Sequence, residues 1–271
     1  MITISGAEFK QLANFIEQNY GIHLTEKKQT MVVGRLHQVL EQNNIYNFTD
    51  YYEYLINDKS GTAVTTLIEK ITTNHTFFMR ENHHFQYFSD VVLPYLVKTI
   101  TDKDLRIWSA GCSSGEEPYT LAMLISDYFN SVKLFWETGV LATDLSTAVL
   151  QKAAKGIYDA EQLISLPDHW KKIYFQHLNA DSRILVDKIR NNVTFRRFNL
   201  MEAVFPFKKQ FHVIFCRNVM IYFDQPTKNK LLNKFYNCLA PGGYLFIGHS
   251  ESIPRDETKF KYIMPAVYRK E

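Results

Sequence analysis

The first third of the chain distributes its apolar residues with the period of an α-helix. Apolar positions recur at spacings of three and four in three runs: Phe9, Leu12, Ala13 and Ile16; Val32, Val33, Leu36, Val39 and Leu40; Val64, Leu67, Ile68 and Ile71. This spacing is typical of helices that bury one face. Gly21, Asn43-Asn44 and Ser60-Gly61 interrupt the runs, as turn residues do. The pattern predicts a small helical domain with its linker over residues 1–83.

From about residue 105 the pattern changes to short β-rich runs separated by helical stretches. The runs are LRIWSA, GVLATDL, NVTFRRF, HVIFCRN, GGYLFIG and AVYRK. Strands that alternate with helices predict a mainly parallel sheet with right-handed crossovers. The fold class is therefore α/β, with a doubly wound domain over residues 84–271. Residues from about 170 to 198 break the alternation with short extended runs and turns, and they predict a small β insertion.

Composition and charge exclude several classes of protein. The formal charge of +3 over 271 residues argues against nucleic acid as the main partner. The three cysteines, Cys112, Cys216 and Cys238, are too far apart for a disulfide framework or a CxxC zinc site. No apolar run approaches the roughly twenty residues of a membrane span. We expect a soluble cytoplasmic protein without membrane insertion.

The stretch IWSAGCSSGEEPYTLAML, residues 107–124, places a glycine-containing turn between a strand and a helix. Gly111 and Gly115 allow a ligand to approach the backbone closely. Both GxGxxG and a Walker Gly-Lys-Ser/Thr are absent, and Glu116 and Glu117 put negative charge where phosphates would bind. S-adenosyl-L-methionine has no phosphate and carries two cationic groups, so the loop favours it. In the alternative, Ser113, Ser114 and the two glutamates only cap a helix.

Polar residues also follow three later strands. Asp144 ends VLATDLS, where a nucleotide-binding fold places an acid on the ribose hydroxyls. An N-cap role for Asp144 is an equally good interpretation. Asn199 and Leu200 follow one strand and could contact adenine, although Asn is also a common turn former. Arg217 and Asn218 follow the next strand, so all of these side chains are predicted to converge at one edge of the sheet.

Several stretches together resemble one family closely, the chemotaxis receptor glutamate methyltransferases called CheR. They occur in the family's order across nearly the whole catalytic half, whereas the N-terminal helices match in pattern only. The stretches are TTNHTFFMRENHHF, WSAGCSSGEEPYTLAM, ATDLSTAVLQKAAKGIYD, FNLME, FCRNVMIYFD and GGYLFIGHSES. Members more often have alanine at Gly111 and threonine at Ser114, and both differences keep the loop small.

The resemblance implies transfer of a methyl group from S-adenosyl-L-methionine to chemoreceptor glutamates, which forms methyl esters for sensory adaptation and releases S-adenosyl-L-homocysteine. It implies a receptor-recognition role for residues 1–83, and a Rossmann-like class I methyltransferase domain over residues 84–271 whose insertion at about 170–198 is antiparallel. It implies that Tyr222 lies near the transferred methyl group. The implied cofactor contacts are Asn74, Thr76, Arg80, Glu117, Asp144, Asn199, Leu200, Arg217 and Asn218, in addition to Gly111.

The chemistry of this transfer requires positioning more than proton transfer. A glutamate with a pKa of about 4.3 is already ionised near neutral pH, so no general base is needed. Arg80 is the candidate that orients the substrate carboxylate, because a guanidinium offers a fork of donors. The alternative is a surface arginine beside Glu81. His75, His83 and His84 lack a third ligand at suitable spacing, so we expect no metal and a structural role for them.

The stretch TEKKQTMVVGRLHQVLEQ, residues 25–42, predicts a helix with one apolar and one basic face. At about 100° per residue, the polar face collects Lys27, Lys28, Arg35, Gln38 and Gln42. The glutamate-rich helical cytoplasmic region of chemoreceptors is the partner that the resemblance implies, so Lys28 and Arg35 are candidates for substrate docking. The alternative is an ordinary solvated face. We expect a monomer.

Two other functions were weighed against this one. Methyltransferases that act on nitrogen often carry Asn/Asp-Pro-Pro-Tyr after the fourth strand, whereas this chain has RNVMIYF. A receptor-docking or cofactor-sensing module would bind without catalysing. Arg80 and Tyr222 beside the cofactor residues favour an enzyme.

Overall fold

The computed structural model describes residues 2–73, 75–132, 135–254 and 256–271. The chain forms two compact units, which we call the helical unit and the sheet unit. The helical unit is Met1–His75, Asn199–Met201 and Tyr222–Lys228, and the sheet unit is Thr76–Phe198, Glu202–Ile221 and Asn229–Glu271.

The helical unit begins with a well-capped helix. The N-cap Ser5 and Glu8 form a reciprocal capping box, and the helix ends at Gly21, whose φ of 72° is the left-handed conformation that glycine adopts most easily. The α-helices are α1 (Gly6–Tyr20), α2 (Gln29–Gln42), α3 (Phe48–Asn57) and α4 (Thr62–Ile71), with a short 3-10 helix at Glu26–Lys28 before α2. The predicted all-helical N-terminal region is confirmed.

The predicted apolar faces form the core of the helical unit. Phe9, Leu12 and Ile16 of α1 are buried, as are Val32, Leu36, Val39 and Leu40 of α2. Ala13 and Val33 are only half-buried and lie at the margin of these faces. The period of the pattern therefore predicts which side of each helix is packed.

Arg35 has a structural role that the pattern of α2 did not indicate. Its Nη1 donates to the carbonyl oxygens of Lys70, Ile71 and Thr72, at 3.2, 3.1 and 3.3 Å. These carbonyls lie at the C-terminal end of α4, where helix oxygens lack partners within the helix and a positive charge is favoured. Arg35 therefore joins α2 to the end of α4, although the residue itself is exposed.

The sheet unit contains a twisted mixed sheet covered by helices. Its α-helices are α5 (Asn82–Tyr87), α6 (Leu93–Thr99), α7 (Glu116–Val132), α8 (Thr147–Lys155), α9 (Asp168–Ile173), α10 (Asp187–Arg190) and α11 (Gln225–Cys238), whose first residues belong to the helical unit. A π-helical stretch, Phe88–Val92, joins α5 to α6. In the part of the chain that the structure describes, no helix is both long and apolar enough to cross a lipid bilayer.

Strands β1 to β10 form two sheets. In chain order they are β1 (Asp104–Ala110), β2 (Glu137–Asp144), β3 (Ile157–Asp159), β4 (Phe175–His177), β5 (Ser182–Leu185), β6 (Val193–Arg197), β7 (Phe211–Cys216), β8 (Leu239–Ile247), β9 (Lys261–Met264) and β10 (Val267–Arg269). Among the described residues, seven strands form the main sheet in the order β6-β2-β1-β7-β8-β10-β9. The strands from β6 to β8 are parallel, and β10 is antiparallel to β8 and β9.

The strand order confirms the predicted doubly wound α/β fold. The chain runs outward from β1 through β2 to β6, and then returns to place β7 on the other side of β1. This reversal is the topological switch point, where ligands of such folds bind outside the carboxyl ends of the strands. Ala110, Asp144 and Cys216 are the last residues of β1, β2 and β7. The topology thus selects the loops after these strands as the candidate site.

A small antiparallel sheet is inserted before β6, in the order β3-β5-β4. It extends from Ile157 to Leu185, so it starts earlier than the segment 170–198 expected from the sequence. Residues Val193–Arg197, which the expectation included, pair with β2 as the edge strand of the main sheet. Short extended runs have the same period of two in either sheet, so periodicity alone cannot assign them to one.

Aromatic packing fixes the strands that carry the candidate site. Phe215 of β7 stacks on Phe246 of β8 with ring centroids 4.3 Å apart, and on Phe85 of α5 at 6.0 Å. Trp108 of β1 is fully buried among phenylalanine rings, and its Nε1 donates to Thr143 Oγ1 of β2 at 2.9 Å. These contacts hold β1, β2, β7 and β8 rigidly beside one another.

We predict that Arg35→Met lowers the free energy of unfolding by about 1–3 kcal/mol, because the carbonyls at the end of α4 lose their donor. Urea denaturation followed by circular dichroism measures this loss. The matched control is Gln38→Ala, at an exposed position of the same helix. A loss for Arg35→Met no larger than for the control would contradict the capping role.

Candidate functional site

The loop between β1 and α7 is held in a tight turn at the switch point. Gly111 has φ 85°, and a Cβ there would lie 2.4 Å from Val219 Cγ2, so no larger residue fits without movement. The N–H groups of Gly111 and Cys112 both donate to the Thr143 carbonyl, at 2.8 and 2.9 Å. The loop is therefore folded back onto the end of β2.

Asp144 continues this connection with its side chain. Its Oδ2 accepts the Ser113 N–H at 2.9 Å, and its Oδ1 accepts the Ser146 N–H at 3.0 Å. The N-cap of α8 is Ser146, whose side chain accepts the Val149 N–H, so the N-cap interpretation of Asp144 is wrong. Asp144 organises the turn from the carboxyl end of β2, where it is half-buried, and its contact with the ribose stays a prediction.

Arg217 is the centre of the polar network at the end of β7. Its side chain is only 2% exposed, and its guanidinium lies 5.1 Å from the centroid of the Phe85 ring. Nη1 donates to Glu117 Oε2 at 3.0 Å, and Nη2 donates to Glu81 Oε2 at 3.1 Å and to the Arg80 carbonyl. The planar fork of arginine satisfies acceptors just before α5 and at the start of α7 at once.

The two carboxylates on Arg217 are in different electrostatic environments. Burial opposes the ionisation of Glu81, but the Arg217 guanidinium and hydrogen bonds from Asn218 Nδ2 and the His249 N–H outweigh it and lower the pKa of Glu81. Glu117 is more deeply buried, so burial raises its pKa despite Arg217 and a 2.7 Å hydrogen bond from Ser109 Oγ. Glu81 is therefore more acidic than Glu117, and it pairs with Arg217 as an ionised carboxylate.

Glu251 organises the loop after β7, and the sequence analysis did not identify it. Its Oε2 accepts the N–H groups of Asn218 and Gly248, at 3.1 and 2.5 Å, and its Oε1 accepts the Ile221 N–H at 3.1 Å. These bonds hold Asn218 in the left-handed conformation, with φ 60°. Burial raises the pKa of Glu251. The only sequence signal was an acid in GHSES, directly after a buried strand.

The polar groups of the network fit S-adenosyl-L-methionine. Among the described residues, the buried Arg217 Nε has no hydrogen-bond partner, so a donor remains for an anionic ligand group. The cofactor offers one carboxylate for such a donor. Its ammonium and ribose hydroxyls are donors for acceptors such as Glu117 and Asp144, and its sulfonium is favoured by negative charge. The turn at Gly111 gives close backbone approach without a phosphate-binding sequence.

The remaining predicted cofactor residues lie near the start of the sheet unit. Arg80 is half-buried, and its backbone carbonyl accepts a hydrogen bond from the Arg217 side chain. Thr76 is half-buried at the beginning of the same unit. Asn74 lies outside the described residues. The cofactor and catalytic roles of these residues stay predictions.

Asn199, Leu200 and Tyr222 belong to the helical unit. Asn199 Nδ2 donates to the Asn19 carbonyl at 2.8 Å, and Leu200 is buried. The Tyr222 hydroxyl accepts the Thr73 N–H at 2.9 Å and donates to the Thr73 carbonyl at 3.2 Å. Each of these side chains therefore has a structural contact within its unit, and the functional role assigned to each stays a prediction.

The structure places a third imidazole next to His83 and His84. One nitrogen of each of His83, His84 and His249 lies within 4.8 Å of the others. The sequence has no third ligand at suitable spacing from His83 and His84, so it predicts only a structural role for them. His249 lies more than 160 positions later in the chain, and only the folding of the β8 loop onto α5 brings it there.

Glu116 lies apart from the Arg217 network. It is 1% exposed, and both of its carboxylate oxygens lie within 2.9 Å of Ser114 Oγ. Burial raises the pKa of Glu116 in spite of this hydrogen bond. Of the two adjacent acids in the loop, Glu117 joins the network, whereas Glu116 faces the interior at the start of α7.

Comparison with known families identifies related sequences along nearly the whole chain. Residues 7–72 match the family "CheR methyltransferase, all-alpha domain", and residues 74–268 match "CheR methyltransferase, SAM binding domain". The match to the second family spans the Gly111 turn, Asp144, Arg217 and Glu251.

Curated relatives match over similar lengths. The "Chemotaxis protein methyltransferase" of Borreliella burgdorferi is 43% identical and covers 99% of this chain and 96% of the relative. The "Chemotaxis protein methyltransferase" of Escherichia coli (strain K12) is 35% identical and covers 98% and 92%. "Chemotaxis protein methyltransferase 2" of Vibrio cholerae is 36% identical and covers 96% and 90%.

We predict that Glu116→Gln changes how stability depends on pH. A carboxyl group whose pKa is raised on folding favours the folded state below its unfolded pKa of about 4.5, and this contribution is lost as pH rises through the folded pKa. The amide lacks this titration. The thermal midpoint of the variant minus that of the wild type should therefore be larger at pH 8 than at pH 4. Glu137→Gln, at an exposed position, is the control. A difference that does not depend on pH would contradict the burial of an ionisable group.

Proposed function

The chain belongs to the CheR family of S-adenosyl-L-methionine-dependent methyltransferases, and from this membership we propose that it methylates glutamate side chains of chemoreceptors. The products are glutamate methyl esters, which adjust receptor signalling in sensory adaptation, and S-adenosyl-L-homocysteine. The observation that carries the proposal is the Arg217 network, which joins the end of β7 to Glu117 at the start of α7 and to Glu81 before α5, at the switch point and in the segment matched by the SAM-binding family.

We assign cofactor binding to side chains at the carboxyl ends of β1, β2 and β7. Glu117 and Asp144 provide acceptors for the ammonium group and the ribose, Arg217 and Asn218 provide donors, and Gly111 contributes the tight turn that the ligand approaches. Asn199 and Leu200 are the proposed contacts of the adenine ring. Thr76 and Asn74 are proposed as further contacts of the cofactor. When bound, S-adenosyl-L-methionine supplies an electrophilic methyl group on a sulfonium.

The protein's contribution to the reaction is alignment. A substrate glutamate of ordinary pKa is ionised near neutral pH, so its carboxylate attacks without losing a proton to the enzyme. Holding the carboxylate in line with the carbon–sulfur bond replaces a chance encounter by a bound geometry. Exclusion of water from the site strengthens the attraction between carboxylate and sulfonium. The mechanism therefore requires donors that orient the substrate, and no general base.

Arg80 is our candidate for this donor, and Tyr222 for the residue that shapes the methyl channel. Arg80 is adjacent in sequence to Glu81, which is bonded to Arg217 and Asn218. Since only the backbone carbonyl of Arg80 is used by Arg217, truncating the side chain keeps that bond.

We assign receptor recognition to residues 1–83, and in particular to Lys27 and Lys28, in the short 3-10 helix that precedes α2. Lys27 is exposed and Lys28 half-buried, next to the buried face of α2. Arg35 already joins α2 to α4, so its contribution to docking is secondary. Positive charge suits the glutamate-rich helical region of a chemoreceptor, because complementary charge steers and orients binding. This receptor region is cytoplasmic, so we propose that the enzyme acts there, as a monomer.

The test is methyl transfer from labelled S-adenosyl-L-methionine to membranes that contain chemoreceptors, scored as base-labile label. The wild type should form esters. Arg80→Ala should lower the rate at least about 100-fold, because alignment of the reacting carboxylate is lost, while the unfolding free energy changes by less than about 1 kcal/mol. Lys98→Ala on α6 is a control cation outside the site.

Asp144→Ala separates binding from catalysis in the same experiment. Isothermal titration with S-adenosyl-L-homocysteine should show affinity weakened by about 1–3 kcal/mol, the cost of leaving polar groups unpaired. Cofactor binding without any ester formation by the wild type would contradict the proposed activity. Near-normal methylation by Arg80→Ala would exclude its assigned role only.

The double variant Lys27→Glu/Lys28→Glu tests whether these two lysines take part in receptor docking. Its receptor methylation should fall most at low ionic strength, where charges are screened least, while cofactor affinity stays at the wild-type value. Arg35 is left unchanged, so that a loss of stability is not mistaken for a loss of docking. If the variant methylates receptors normally at low salt, these lysines have no part in docking.

A further inference from the structure

Three imidazole rings converge where α5 meets the loop after β8. The ring centroids of His83 and His249 are 4.0 Å apart, those of His83 and His84 are 4.5 Å apart, and those of His84 and His249 are 4.7 Å apart. The Nε2 atoms of His83 and His249 point at each other and lie in close contact. The proposed methyl transfer uses none of these rings.

His84 is the least expected member of this group. It is fully buried, and in the described residues neither of its ring nitrogens has a hydrogen-bond partner. Its Nδ1 is 3.4 Å from Glu81 Oε2, but the geometry is not that of a hydrogen bond. Nearly all buried polar groups in proteins have partners, so an imidazole without one points to a group that is missing from the protein alone.

The electrostatic surroundings suit a cation at this point. The nearby Arg217 guanidinium is already paired with two carboxylates, Glu81 and Glu117. Negative charge therefore equals or exceeds positive charge around the three rings, and neutral imidazoles are the form that binds metals.

We propose that His83, His84 and His249 bind a zinc ion. In a tetrahedral zinc site with bonds of about 2.0–2.1 Å, ligand nitrogens are about 3.4 Å apart. One nitrogen from each ring already lies within 4.8 Å of the others, so the three rings are gathered closely enough to share one ion once His83 and His249 separate around it. Three histidine ligands leave the fourth coordination position of the zinc ion for a water molecule.

The zinc ion would fasten the loop after β8 to α5. The His249 N–H already donates to Glu81 Oε2 at 3.3 Å, and Glu251, two residues further on, holds Asn218. Metal binding would thus fix the two loops that position Asn218 and Arg217. The site is structural, because the proposed methyl transfer needs no metal.

The experiment is a zinc titration of the full chain, without an affinity tag, after treatment with a chelator. In a competition titration against a chromophoric chelator, we expect each chain to bind one zinc ion tightly. His249→Ala should weaken this site by at least about 100-fold, because even outer-shell partners of metal ligands contribute roughly 10–100-fold. His83→Ala should do the same. His37→Ala and His177→Ala, which change histidines outside the cluster, should retain wild-type affinity.

Cobalt(II) provides a second readout that does not depend on affinity. The wild type should give the visible absorption of a four-coordinate cobalt centre, and His249→Ala should not. His249 is exposed, so this variant should fold, which far-ultraviolet circular dichroism verifies. Equal zinc affinity in the wild type, His83→Ala and His249→Ala would overturn the proposal. An equal loss in the two control variants would also overturn it. Neither measurement uses a receptor or the methyl donor, so both are independent of the proposed activity.

Discussion

A buried guanidinium imposes the constraint on which the rest of the candidate site depends. Arg217 ends β7 with its side chain almost completely removed from water, and a charge in that position requires close partners. It finds them on two other elements, in Glu117 at the start of α7 and in Glu81 beside α5. The pairing fixes where α5 and α7 begin relative to the sheet. It also brings Glu81 within reach of Asn218 and His249.

Carboxylates that accept backbone N–H groups extend this order to the neighbouring loops. Asp144 holds Ser113 of the turn after β1, and Glu251 holds Asn218 and Ile221 after β7. Loops at the end of a sheet carry unpaired backbone donors, and a charged acceptor binds them more strongly than a neutral one. The site is thereby preorganised before any ligand binds, which suits a reaction that depends on alignment.

The sequence predicted the parts of this arrangement that follow from the spacing of apolar residues within each element and from the polar residues that follow each strand. The helical faces of α1 and α2, the alternation of strands and helices, and the candidates Glu117, Asp144 and Arg217 were all identified in this way. The partners of these residues were not, because a pair such as Glu81 and Arg217 is 136 positions apart and no local pattern connects it. Arg35 illustrates the same limit, since its cap on α4 depends on how two helices pack. His249 and the strand Ile157–Asp159 were missed for this reason as well.

The most direct test of the central claim is the unfolding free energy of Arg217→Met and of the triple variant Arg217→Met/Glu81→Gln/Glu117→Gln, measured by urea denaturation. Removing one partner of a buried ionic group typically costs about 3–5 kcal/mol, because the remaining charge is buried without compensation. Replacing both carboxylates by glutamine removes that uncompensated charge. We expect a large loss of stability for the single variant and recovery of most of it in the triple variant, with cofactor binding lost in both. A single variant as stable as the wild type, or a triple variant no more stable than the single one, would contradict this expectation.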